Sequence, residues 1–178
     1  MSGEILKRNF FKQPVVKVAK GLLGTNICLN LKNGKVIRHT ITETEAYDGE
    51  KDLACHASKG RTPRTEVMYS DGGLLYIYLC YGMHWMLNVV AEEKGSPSAV
   101  LLRGTSEING PGRLTKKLGI KGHLNNRVAN RKNGLWFETG TGIRSEIFSG
   151  PRIGVDYAGR YWATKPYRFW FSNPKSGA

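Results

Sequence analysis

Acidic residues are scarce in this chain. Its 178 residues hold 14 aspartates and glutamates against 27 lysines and arginines, a formal net charge of +13 and a pI near 9.8. A field of that sign works against basic partners and points to a polyanion, with nucleic acid first and an anionic membrane surface second. Membrane is the weaker choice, because no segment reaches the roughly 18 apolar residues that a span needs and the amphipathic piece near the N-terminus is short and mixed. Cysteine is scarce too. Cys28, Cys55 and Cys80 are odd in number and widely spaced, without a Cys-x-x-Cys pair, which excludes a disulfide framework and an ordinary zinc module. Cys55 and His56 are adjacent, but zinc would need distant ligands to join them. There is no fixed-period repeat, low-complexity block or signal-peptide core. What remains, 40% hydrophobic and 10% aromatic, is enough to bury a core, so one domain over residues 1–178 is expected, with Ser172 to Ala178 as a mobile tail.

Elements follow from periodicity. Pro14, Val15, Val16, Val18, Ala19, Leu22 and Leu23 before Gly24 predict a short amphipathic helix. Asn26 to Leu31, with Ile27, Leu29 and Leu31 inward, predicts a strand that reverses at Asn33-Gly34. The run from Leu74 to Val90 predicts a hairpin with Leu75, Ile77 and Leu79 toward the core, Tyr76 and Tyr78 opposite, and Gly82 at the reversal. Ser98 to Arg103 predicts a buried strand and Pro111 to Leu118 a helix closed by Gly119. Leu135 to Glu138, Arg152 to Val155 and Tyr167 to Phe171 predict short strands, and His123 to Asn133 a loop. The class is α+β, a mostly antiparallel sheet flanked by short helices with a protruding β-hairpin.

Three stretches carry chemistry. His39 to Tyr47 alternates strictly, with threonines at 40, 42 and 44, which predicts a strand with Ile41, Glu43, Glu45 and Tyr47 on one face. Same-face carboxylates two apart lie roughly 6.6 Å from each other on a strand. They are either two solvated surface glutamates or, where partly buried, a pair pushed apart in pKa and suited to acid or base chemistry. Lys59-Gly-Arg-Thr-Pro-Arg64 gathers three cations and a hydroxyl in six residues, either a solvated connection or a phosphate contact. Tyr81, at a hairpin tip, is either a cross-strand aromatic or a wedge able to fill the hole left by an extruded nucleotide.

Taken in order, Ile41-Thr-Glu-Thr-Glu-Ala-Tyr47, His56, Arg61-Thr-Pro-Arg64, Leu75-Tyr-Ile-Tyr-Leu-Cys-Tyr-Gly-Met83, Asn88, Val100-Leu-Leu-Arg103, Asn109-Gly-Pro111, Arg152-Ile-Gly-Val155 and Lys165-Pro166 resemble the alkyladenine, or methylpurine, DNA glycosylases. The resemblance covers most of the chain and is weakest from Lys121 to Ser145. It implies a curved antiparallel sheet edged by helices, and it makes Glu45 the general base for a water that attacks the sugar carbon. Arg103 and the backbone at Val155 would hold that water. Tyr47, His56 and Tyr78 would stack on the everted base, a main-chain group at His56 would meet the purine edge, and Asn88 would crowd the guanine amino group. Tyr81 with Met83 would intercalate, while Arg61, Thr62 and Arg64 would meet phosphates. Glu43 would be structural.

The implied reaction is monofunctional release of 3-methyladenine, 7-methylguanine and hypoxanthine, leaving an abasic site, since nothing matches a helix-hairpin-helix element or a lysine placed for imine formation. No cofactor or metal is implied. The partner is double-stranded DNA holding damaged purines, met by a monomer inside the cell, in cytoplasm or nucleoid in a bacterium and in the nucleus in a eukaryote. Two other classes stay open on the residues alone. One is a non-catalytic binder that stacks unpaired bases on its aromatics. The other is a metal-dependent nuclease using Glu43, Glu45 and His56, with Asp48 and Asp52 as further candidates.

Overall fold

A computed structural model describes residues 3–140 and 146–171. The predicted tail, and residues 141–145 of the weakly matching stretch, lie outside the described residues. Two helices, α1 (Arg8–Phe11) and α2 (Val15–Leu22), lead into strand β1 (Asn26–Asn30) and the long strand β2 (Val36–Tyr47). Then follow β3 (Leu75–Cys80), β4 (His84–Ala91), β5 (Ser98–Thr105), helix α3 (Pro111–Leu118), β6 (Leu135–Glu138), β7 (Ile147–Gly150), helix α4 (Gly159–Ala163) and β8 (Arg168–Phe171). The strands form one sheet in the order β3-β4-β5-β2-β1-β6, with β8 against β2 and β7 against β8. Every pairing is antiparallel. The α+β reading with an antiparallel sheet therefore holds, and among the described residues no parallel pair mixes it.

Period-two alternation gives this sheet two different faces. One carries Ile27, Leu29, Ala46, Leu75, Ile77, Leu87, Val89, Val100 and Leu102. Val15, Val18, Ala19 and Leu22 of α2, with Leu114 and Leu118 of α3, cover it to make the main core. Burying each of the valine, leucine and isoleucine side chains contributes about 1.5–3 kcal/mol. Thr44 is buried on the same face and donates to the Ala19 carbonyl at 2.9 Å, fixing α2 on the strand. The opposite face carries Tyr76, Val90 and Ala99, covered by Cys55, Ala57, Val67 and Met68 from the connection after β2. That connection is not regular, but it contains two 3-10 turns, His56–Lys59 and Glu66–Tyr69.

Four expectations need correction. Ile41 does not share a face with Glu43 and Glu45, because it sits in the main core. The cause is a break in register: Ile41 pairs with Thr105 and Glu43 with Gly104, so Thr42 is an extra residue and alternation slips by one. Leu31 and Leu79 are 39% and 40% exposed rather than inward, both lying where their strands run out. Arg152 to Val155 is a turn, not a strand, since Gly154 takes φ of 76° and the chain then enters a 3-10 turn at Asp156–Ala158. Neither β7 nor α4 was legible in the sequence.

The β6 edge closes on a buried carboxylate. Glu138 accepts from Trp136 Nε1 at 2.8 Å, Arg38 Nε at 2.9 Å and Arg131 Nη2 at 3.1 Å. Burial alone would raise its pKa, but these hydrogen bonds outweigh burial and bring it to about 2. A folded pKa below the unfolded value means that the stabilisation is whole above about pH 4.3 and is lost as pH falls toward 2. Glu138→Gln should therefore cost about 2–3 kcal/mol at pH 7, and the gap from wild type in urea unfolding should narrow steadily below pH 4.

Candidate active site

The face of the sheet opposite the main core opens into a cavity of about 470 Å³. Register builds its floor. Tyr76 pairs with Asn88, Asn88 with Leu101 and Leu101 with Glu45, so one row of side chains crosses four strands. The neighbouring rows bring Tyr78 opposite Met86 and Tyr47 opposite Ala99. All of these line the cavity, joined by His56, Arg64, Arg103, Ile153, Val155 and Tyr157.

A second irregularity aims Arg103. Glu43 pairs with Gly104 and Thr44 with Leu102, which leaves Arg103 as the extra residue on β5. A bulge of this kind re-aims a side chain. Arg103 Nε donates to Glu43 Oε1 at 3.0 Å, while its Nη1 lies 3.4 Å from Glu45 Oε1. Glu43 also receives Arg168 Nη1 at 3.3 Å. Its role is visible in those contacts, because it holds the arginine that faces Glu45.

Glu45 is fully buried. Its Oε1 accepts the Ile153 amide at 2.8 Å and its Oε2 the Tyr47 hydroxyl at 2.8 Å. Burial raises its pKa, opposed by Arg103, the Ile153 amide and the Tyr47 hydroxyl. The outcome is a carboxylate poised above the usual carboxylate range, in reach of a reactant yet screened from bulk water. Val155 is buried at the cavity wall, with its carbonyl accepting the Ala158 amide at 2.9 Å. The backbone group that touches Glu45 itself is Ile153.

Aromatic rings form the walls. His56 and Tyr78 meet edge to face with centroids 4.6 Å apart, and His56 Nδ1 lies 2.7 Å from the Tyr76 hydroxyl. Burial first, and the charge of Arg64 second, pull the His56 pKa down to about 4, so the ring is neutral at physiological pH. Its amide opens a 3-10 turn, where helix-type bonding leaves the first N–H groups unpaired. Asn88 Nδ2 donates to the Tyr76 carbonyl at 3.0 Å, which fixes its amide at the cavity floor. Arg64 lies with its guanidinium carbon 4.9 Å from the Tyr78 ring centroid.

At the end of β3 the chain reverses through Tyr81 and Gly82, both at positive φ, 50° and 68°. Two such residues match the turn that twists with a hairpin, and glycine occupies one at no cost, but a tyrosine there is strained. Tyr81 is 90% exposed and Met83 72%. Strain of this sort concentrates at functional positions, and here it holds an aromatic ring out at the rim of the cavity.

The chain matches the Methylpurine-DNA glycosylase (MPG) family over residues 9–108 and 105–175. It belongs to that family. It is 44% identical over 175 residues to a protein of Myxococcus xanthus, covering 93% of this chain and 89% of the relative. A protein of Methanocella arvoryzae is 40% identical, with 95% and 93% covered, and one of Borrelia garinii is 40% identical, with 96% and 97% covered. Each of these bears the name "Putative 3-methyladenine DNA glycosylase". The chain is thus a DNA-repair glycosylase by family, and the resemblance in its motifs is supported over nearly its whole length.

Within this family member, Glu45, Arg103, Val155, Tyr47, His56, Tyr78, Asn88, Tyr81 and Arg64 all line one cavity. The other three named residues lie apart from its lining. Met83 is at the hairpin tip. Arg61 forms two hydrogen bonds of 2.7 Å with Glu66, and the Thr62 hydroxyl bonds Thr65, so both serve the loop in which they stand. Glu43, Glu45 and His56 do not form a metal site: among the described residues no three His, Cys, Asp or Glu side chains gather to hold an ion.

Sequence reasoning missed the pair beneath the site. Arg152 and Asp52 are both buried and bonded, Nη2 to Oδ1 at 2.9 Å. Arg152 also donates to the Ala46 carbonyl at 2.9 Å and packs 4.8 Å from the Tyr47 centroid. Asp52 further accepts the Asp48 and Ala54 amides, each at 3.0 Å. Together they tie the loop after β2 to the segment whose Ile153 meets Glu45. Nothing in the sequence sets Asp52 apart from Asp48 and Glu50 beside it. Asp52→Ala leaves a guanidinium buried without its counterion and should cost about 3–5 kcal/mol in urea unfolding. The double change Asp52→Ala with Arg152→Met should recover most of that loss, the coupling a double-mutant cycle reads.

Proposed function

We propose that this chain, acting as one unit over residues 1–178 and as a monomer, hydrolyses the N-glycosidic bond of alkylated purines in double-stranded DNA. The bases are 3-methyladenine and 7-methylguanine, with the deaminated base hypoxanthine as a further substrate. The observation that carries the reading is a buried, donor-held carboxylate, Glu45, opening onto an aromatic cavity whose rim bears an exposed, strained Tyr81. A cavity closed on the sheet side can reach a base only if the nucleotide leaves the stack, which costs a few kcal/mol and is eased by a wedge. Tyr81 and Met83, both exposed at the hairpin tip, supply it in this reading. The +13 charge draws the duplex in, and Arg64, Arg61 and Thr62 lie on the loop beside the cavity wall. Its setting is wherever DNA is repaired in the cell.

Tyr47, neutral His56 and Tyr78 stack on the everted base, and electron-rich rings hold a cationic purine more firmly than a neutral one. Asn88, fixed by its bond to Tyr76, presents its amide where a purine's exocyclic group would arrive. Glu45 takes the proton of an attacking water while its charge stabilises the oxocarbenium-like sugar. Arg103 and the backbone at Val155 orient that water, and the product is an abasic site with the strand intact. A glutamate in an aromatic patch is a poor feature for a passive binder, since it repels phosphate without chemical return.

Glu45→Gln should keep binding to a duplex with a methylated purine yet lose about 10²- to 10⁴-fold in base release, measured by alkaline cleavage of the abasic product. Full activity in that variant would end the assignment. Because the base must be ionised and its pKa is raised, kcat/KM should fall on the acid side at a pH above the ordinary glutamate range near 4.3. Arg103→Gln removes the charge that opposes burial, so its acid limb should move to still higher pH.

A further inference from the structure

Three arginines stand at this site, and two of them are neutralised. Arg103 faces Glu43 and Glu45, and Arg152 is paired with Asp52. Arg64 lines the cavity and makes no ion pair among the described residues. Its guanidinium lies over the Tyr78 ring at 4.9 Å. The ring quadrupole that would otherwise favour a cationic base is thus already engaged by a resident cation, and the same charge helps keep His56 neutral.

Charge at this spot acts differently on two kinds of lesion. When the glycosidic bond breaks, its electron pair stays with the purine, and water gives hydroxide to the sugar carbon and a proton to Glu45. A purine that carries a positive charge, such as 7-methylguanine, leaves as a neutral molecule. A neutral purine, such as hypoxanthine, leaves as an anion unless it is protonated. An uncompensated guanidinium repels the first in the ground state and stabilises negative charge growing on the second.

We infer that Arg64 is a specificity-determining residue, whose free charge at the Tyr78 wall shifts the enzyme from cationic purines toward neutral ones. This inference rests on the glycosylase reading above. It differs from a phosphate contact, which carries no information about the base and would weaken all substrates alike.

The test compares base release from duplexes holding hypoxanthine or 7-methylguanine by wild type, Arg64→Lys and Arg64→Gln. Thermal unfolding of each protein is followed in parallel, and Arg64 is exposed, so folding should be preserved. The quantity read is the hypoxanthine-to-7-methylguanine ratio of kcat/KM, in which any common loss of DNA affinity cancels. It should fall about fivefold or more in Arg64→Gln, as expected for a unit charge acting at short range in a partly desolvated site, and stay near wild type in Arg64→Lys. An unchanged ratio in Arg64→Gln overturns the inference and leaves a plain phosphate contact. So does a wild type that releases 7-methylguanine but no hypoxanthine. Release of neither base by wild type would instead bring down the glycosylase reading itself.

Discussion

Taking a carboxylate out of water costs several kcal/mol unless its oxygens find donors, and in this protein Glu45 sets that condition for everything around it. The side chain is fully buried, with one oxygen on the Ile153 amide and the other on the Tyr47 hydroxyl, and Arg103 standing close by. Those donors come from three places in the chain: β2 itself, β5, and the turn that follows β7. A fold that satisfies Glu45 has therefore already brought Tyr47, Arg103 and Ile153 together at the cavity. Its pKa is raised because burial outweighs the donors.

The geometry depends on two extra residues. Thr42 on β2 and Arg103 on β5 each break the register of the same strand pair. Without the first, Ile41 and the two glutamates would share a face, and either the core would contain carboxylates or the site would lose an apolar anchor. The second leaves Arg103 without a partner on β2, between the pairs Leu102–Thr44 and Gly104–Glu43, free to meet both Glu43 and Glu45. Bulges add local twist and redirect side chains, and here they let one strand serve a packed core along one face and a polar site along the other.

These bulges also mark the limit of what the sequence discloses. Alternation correctly indicated β1, β2, β3, β4 and β5, and proline and glycine marked α2 and α3, because those signals are local. That Glu45 shares a face of its strand with Tyr47, and Tyr76 one with Tyr78, was legible for the same reason. Ile41 was not, since a bulge is a property of a strand pair and leaves no trace in either strand alone. Nor was the Asp52–Arg152 pair, a contact across 100 residues that joins a loop acid to an arginine in a segment the sequence reads as a strand. The Arg152 to Val155 segment reads as a strand by composition, and only the positive φ at Gly154 turns it.

Charge is sorted by depth. The acids that the fold buries completely, Glu45, Asp52 and Glu138, each meet arginine, by way of Arg103, Arg152, and Arg38 with Arg131. Their charges are spent inside, so the excess of lysine and arginine is left to dominate the outer field. Over tens of ångströms that field steers any polyanion, whatever its sequence. Within about a Debye length of 8–10 Å the pairing pattern decides instead, and there the cavity is nearly balanced except at Arg64. A protein can thus be strongly basic toward a polyanion and still hold a buried carboxylate at its centre, because attraction at long range and pairing at short range answer to different subsets of the same charges.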